Sequence, residues 1–170
     1  MNEIVVVGVG NPYVSDDGVG CRVLQELRER IQDRRVAFIE LVAFGLDALE
    51  QLGWFKEAVI IDAAKTGSVR VGCVRRICPY ETSSGSRTLS LHTLGLRSAL
   101  GLGSMLGLPL PQPVSLLAVE VSDTETFHEG CTPEVEAAIP NVVAYAVDFL
   151  RSRLPDLHYS RKDCAAVRVS

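Results

Sequence analysis

Two adjacent aspartates, Asp16 and Asp17, follow an apolar run and a glycine-rich turn in "VVVGVGNPYVSDDGVG". A third acid, Asp62, closes another apolar run, "VIIDAA", and His92 stands in "SLHTLGL", just ahead of a helical pattern. Carboxylates and imidazole ligate borderline divalent metals and also move protons near neutral pH. The set therefore reads in two ways: a metal site with open positions, or a holder of water for acid–base work. Each residue also has a plainer reading. Asp16 suits a helix N-cap, and a lone histidine such as His92 is commonly structural. Asp62 resists the plain reading, because an acid ending a buried strand costs free energy unless it is paired or bound to metal. His128, in "TFHEGCTPEVE", follows the last apolar run and is expected near the same rim, while Arg75 and Arg76 read as a solvated face.

The glycines before the acids invite a nucleotide-binding assignment, and the details refuse it. In Gly-x-Gly-x-x-Gly the third glycine is replaced here by Tyr13, and no Gly-Lys-Ser/Thr follows. A helix N-terminus attracts anions, but carboxylates placed there repel phosphate. What remains is an anionic mouth suited to a cation or to helix capping.

These residues need a scaffold, and the periodicities supply one. Glu3–Gly8, Val36–Leu41, Ala58–Asp62 and Val114–Val121 read as strands, the first, third and fourth as buried ones. Ser68–Cys78 reads as a strand nearer a sheet edge. Helical spacing runs from Asp17 to about Ile31, over Gly45–Gly53 and over Thr93–Leu106. A further helix runs from Thr132-Pro133-Glu134, a good N-terminal sequence, to about Leu154, with a kink expected at Pro140. The alternation predicts an α/β fold: a single domain, residues 1–154, with a mainly parallel twisted sheet and helices on both faces. Residues 155–170 read as a mobile C-terminal tail. In such a sheet ligands gather beyond the carboxyl ends of the strands, where Asp17, Asp62 and His92 all fall.

Composition narrows the functional classes. The chain has 170 residues with 47% hydrophobic and 22% charged residues, an ordinary globular balance. A net charge of −4 disfavours nucleic acid, which demands clustered Lys and Arg. No apolar run reaches membrane-spanning length, so no membrane partner is expected. The N-terminus enters a strand directly, without a basic region or cleavage site, and the five cysteines are odd in number and lack C-x-x-C spacing. Both points predict a reduced, cytoplasmic protein.

The segments "GVGNPYVSDDGVG", "IIDA", "SLHTLGL" and "GCTPEVEAAI" resemble, in order and spacing, the hydrogenase maturation proteases. The likeness spans about residues 3–150. These endopeptidases trim the C-terminus of the [NiFe]-hydrogenase large-subunit precursor and are often grouped with aspartic peptidases. The resemblance implies a metal-binding triad of Asp17, Asp62 and His92, with Asp16 also in the pattern and Gly10 and Asn11 shaping the turn. It further implies that the nickel is supplied by the precursor rather than stably bound by the enzyme, with Asp17 or Asp16 activating water. The expected partner is that precursor, and a monomer is expected. One departure concerns a segment where relatives often have Asp-Gly-Gly-Thr. Here it is "ELVAFG", Glu40–Gly45, which points to a different substrate preference.

Three alternatives stand beside this reading. A maturation factor that binds nickel and precursor without cutting would use the same triad. A stand-alone metalloenzyme would hold its own metal there. Peptidyl-tRNA hydrolases share a strand followed by Gly-Leu-Gly-Asn-Pro, but here Tyr13 and the acidic pair replace that family's continuation.

Overall fold

The β-branched run after the N-terminus forms β1 (Ile4–Val9), whose residues are all buried. A single 3-10 turn, Ser15–Gly18, leads into α1 (Val19–Arg30). The chain continues through β2 (Val36–Leu41), α2 (Leu46–Leu52), β3 (Glu57–Ala64), β4 (Val74–Ile77), α3 (Leu91–Met105), β5 (Val114–Glu120) and α4 (Pro133–Arg153). The computed structural model of the chain describes residues 3–79 and 91–160, the side chains of residue 46 and of residues 91–94 excepted.

The five strands form one sheet in the order β2-β1-β3-β5-β4. β1 pairs in parallel with β2 and β3, and β3 pairs in parallel with β5. β4 runs antiparallel to β5 at the edge, as its mixed Val and Arg content suggested. The alternation of a strand sends its side chains to opposite faces, and each face buries its own core. On one face Val6, Ile61 and Leu117 meet Val23, Leu24 and Leu27 of α1 and Val135, Ile139 and Val143 of α4. On the other, Val7, Ile60 and Leu116 meet Leu49 and Leu52 of α2 and Leu96 and Leu100 of α3. The predicted doubly covered, mainly parallel sheet is therefore the observed one.

Several boundaries differ from the sequence reading, each for a tertiary reason. β3 continues two residues past Asp62, because Ala63 and Ala64 pair with Val119 and Glu120 of β5. α3 begins at Leu91, so His92 lies inside its first turn rather than before it. Pro140 lies within α4 and does not end it. Residues 155–160 are not a loose tail. Leu157 is buried, Ser160 N donates to Arg30 O at 2.9 Å, and Tyr159 bridges Ile31. Residues 161–170 lie outside the described residues, as do residues 80–90, which precede α3.

The strand order reverses between β1 and β3, the point where an α/β sheet opens a crevice. α1 settles onto this point through Gly20. A Cβ there would overlap the backbone oxygens of Val9 and Ile61, one from each strand. Glycine is thus required by the closeness of helix to sheet. Gly20→Ala is expected to lower unfolding stability by about 3 kcal/mol in urea titrations, since the helix must lift. Gly101→Ala, in α3 with open space around its Cα, is expected instead to raise stability by about 0.5 to 1 kcal/mol through helix propensity. Equal effects at the two positions would contradict this packing argument.

Candidate active site

The carboxyl edge of the sheet collects the acids. Gly10 turns the chain out of β1 with φ of 131°, a conformation glycine adopts without strain. A Cβ there would also overlap the backbone oxygen of Asp17, so the turn folds tightly back on β1. Asp17 sits half-buried in the 3-10 turn, and its Oδ2 accepts the Asn11 amide at 2.8 Å. Asn11 in turn accepts the Tyr13 amide through its own Oδ1 at 3.0 Å. The side chain of Asn11 shapes the loop while its backbone orients the acid.

Asp62 is 1% exposed and in register with Ala118 of β5. Strand alternation places it on the side of Ala58, Ile60 and Ala64, the face covered by α2 and α3. The 3-10 turn that carries Asp17 touches β3. The Cys21 thiol registers the concentration of charge: burial raises it to about 11, with further contributions from Glu40, Asp17 and Asp62. Those three acids therefore lie within electrostatic range of the first turn of α1. Among the described residues no group of three His, Cys, Asp or Glu side chains stands close enough to hold a metal ion. The His92 side chain is not among them; its backbone lies one helical turn before Leu96, which packs on the same face of the sheet as Asp62.

Asp16 occupies a different position from its neighbour and calls for a correction of role. It is fully buried, and its Oδ2 accepts Ser122 N, Ser122 Oγ and Asp123 N at 3.0–3.1 Å and Thr132 Oγ1 at 3.2 Å. Its Oδ1 accepts Thr132 N at 2.6 Å. A carboxylate so enclosed is a poor activator of water. It acts instead as a clamp, tying the β1 exit to the β5 exit and to the start of α4. The Thr132 hydroxyl, expected to cap α4, makes no cap bond and serves Asp16.

A third buried acid, Glu120, closes the β5 run as Asp62 sits near the end of β3, and its partners lie far along the chain. Its Oε1 accepts Thr66 N and Gly67 N at 2.7 and 2.6 Å, and its Oε2 accepts the Thr66 hydroxyl. Arg75, assigned to a solvated face, approaches it at 3.6 Å. Glu120 thus fixes the turn after β3, as Asp16 fixes the turn after β1. Glu40 ends near the edge of β2 and pairs with Arg28 at 3.3 Å. His128 is exposed on the rim and bridges Val14 through its backbone.

Burial disfavours Cys21 and Cys131 as nucleophiles at neutral pH. Burial pushes Cys131 to about 12, reinforced by Glu136 and Asp16, and the thiolate is the reactive form. The described cysteines are free of disulfides. Two outcomes follow. Asp16→Ala strands buried amides and is expected to cost about 3 kcal/mol of unfolding free energy, read by urea titration; a change below about 1 kcal/mol would contradict the clamp. Cys21 and Cys131 are expected to resist alkylation at pH 7.5 in the folded protein, read by mass spectrometry after iodoacetamide, and rapid modification would contradict their protonated, buried state.

Comparison with known proteins agrees with the geometry. A family model described as hydrogenase maturation protease matches residues 21–149. The hydrogenase 2 maturation protease of Escherichia coli K12 is 27% identical over 151 residues, covering 88% of this chain and 91% of its own. The hydrogenase expression/formation protein HupD of Thiocapsa roseopersicina is 26% identical, over 87% of this chain and 67% of its own. The solved structure of the E. coli hydrogenase maturating endopeptidase HybD shares the fold, with a TM-score of 0.76 and 24% identity, over 94% of this chain and 98% of that one. The chain therefore belongs to the hydrogenase maturation protease family.

Proposed function

We propose that this protein removes the C-terminal extension of a nickel-loaded [NiFe]-hydrogenase large-subunit precursor. Family membership supports the reaction class. The observation that carries the site assignment is the convergence of Asp17 and Asp62 at the switch point between β1 and β3, within electrostatic range of the first turn of α1. Burial keeps the thiols beside this edge, Cys21 and Cys131, in their protonated form, and the sequence lacks a G-x-S-x-G nucleophile turn. Carboxylate chemistry with a metal supplied by the substrate fits the groups present.

In this reading Asp17, Asp62 and His92 engage nickel already seated in the precursor. The ion, as part of the substrate, positions the scissile carbonyl and polarises it. Asp17 takes a proton from a water molecule as the water oxygen bonds to the carbonyl carbon. The C–N bond then breaks, and the proton passes to the departing amine. Asp16 is enclosed by its donors and holds Asp17 in place through the turn both residues share. Recognition of the cargo metal would also restrict cutting to a completed substrate, since the isolated enzyme presents acids without a Lewis acid. The reaction is placed in the cytoplasm, where the precursor awaits processing.

The test is the intact mass of a large-subunit precursor after incubation, with and without nickel. A single nickel-dependent loss of a C-terminal peptide is expected. Asp17→Asn and Asp62→Asn are each expected to reduce kcat/KM by about 100-fold or more. Unchanged processing by either variant would remove that residue from the mechanism. Equal processing of the nickel-free precursor would remove the metal from recognition.

A further inference from the structure

Three exposed apolar side chains stand on three different strand exits, at the carboxyl edge that also carries Asp17. Val42 follows β2 and is 64% exposed, Tyr13 follows β1 and is 55% exposed, and Phe127 follows β5 and is 84% exposed. Their placement is fixed by the backbone. Gly10 N donates to Leu41 O at 3.0 Å, joining the exits of β1 and β2. His128 N donates to Tyr13 O at 3.0 Å and Ser15 N donates to His128 O at 2.8 Å, joining the exits of β1 and β5. Tyr13 and Phe127 are therefore neighbours in register beside the single parallel bridge between Val14 and His128, at the carboxyl edge that also carries Asp17.

Aromatic side chains held out in water by ordered backbone are characteristic of contact surfaces. The two loop segments that carry them hold one sign of charge. Residues 10–18 and 122–131 contain no Lys or Arg, while Asp123, Glu125 and Glu129 flank Phe127. Asp123 is held ionised down to about 2 by hydrogen bonds from the Thr126 side chain and from the Glu125 and Thr126 amides. Lys65, reaching in from the β3 exit, pairs with Glu125 at 3.3 Å and offsets part of that charge.

We propose that Tyr13, Phe127 and Val42 form a docking surface for an apolar, basic segment of the precursor next to the scissile bond. This rests on the protease reading, because a polypeptide that brings its cleavage site to Asp17 must cross the rim where these residues stand. The surface reads the polypeptide, and the acids behind it read the metal. The replacement of Gly-Gly by bulky apolar residues in "ELVAFG" then has a physical meaning: Val42 widens the apolar contact on the β2 side, so it selects among precursors. Exposure alone is not the argument. Trp54 is equally exposed at 84%, but it precedes β3 at the amino edge of the sheet, away from the acids.

The experiment measures binding of the nickel-free large-subunit precursor, with its C-terminal extension, to the full-length protein by isothermal titration, and KM and kcat on the nickel-loaded precursor. A Tyr13→Ala/Phe127→Ala variant is expected to weaken nickel-free binding about tenfold and to raise KM similarly, with kcat within twofold. Both side chains project into solvent, so the fold is retained, and Trp54→Ala serves as the exposed aromatic control with unchanged KM. A Glu125→Lys/Glu129→Lys variant is expected to raise KM at low salt and to lose that effect at high salt. Unchanged binding and KM in the Tyr13/Phe127 variant, or an equal loss with Trp54→Ala, would overturn the surface while leaving nickel-dependent cleavage standing. A wild-type protein that neither binds nor cuts the precursor would overturn the surface together with the protease reading.

Discussion

The Asp16 carboxylate is fully buried, and among the described residues the amides of Ser122, Asp123 and Thr132 with two hydroxyls offset the cost of burying it. That demand joins three parts of the chain: the turn after β1, the loop after β5 and the first residue before α4. Asp17 inherits its position from this arrangement, since it shares a single 3-10 turn with Asp16. The bridge between Val14 and His128 inherits its position too, because Ser15 and His128 pair immediately beside the clamp. A buried charge that is satisfied only by one closed arrangement penalises every other arrangement, so the loop geometry is specified as well as stabilised.

Two adjacent acids thus divide the work by environment. Asp16 is enclosed by donors and anchors the loops; Asp17 is half-buried and held through one oxygen by the Asn11 amide. Across the crevice Glu120 repeats the anchoring device for the turn after β3, which follows Asp62. Each strand exit that carries a candidate ligand is therefore pinned by a neighbouring buried carboxylate that is not itself at the crevice. Rigid support of this kind is what a site needs when its metal arrives with the substrate, because the acids must hold their spacing before the ion is present.

The layered α/β fold was legible because the apolar runs are short, β-branched and separated by helical periodicity. Asp62 was legible because an acid at the end of such a run has no packing role. Other features depend on contacts that sequence pattern does not carry. The donors to Asp16 lie more than a hundred residues away, so its clamp looked like an ordinary capping residue or a catalytic acid. Ala63 and Ala64 gave no strand signal of their own and extend β3 only because β5 offers partners. Residues 155–160 lack periodicity, yet Leu157 and Tyr159 dock against the domain. Phe127 belongs to no strand or helix pattern, and its exposure gains meaning only from the pairing of the β1 and β5 exits.

The central claim is that carboxylates at the β1 and β3 exits meet a metal that the substrate brings. Nickel K-edge X-ray absorption of the loaded precursor, alone and in complex with the protein, tests it most directly. The account predicts added oxygen or nitrogen ligands in the first shell on complex formation, and their loss with the Asp17→Asn protein. A nickel environment unchanged by binding of the wild-type protein would contradict it.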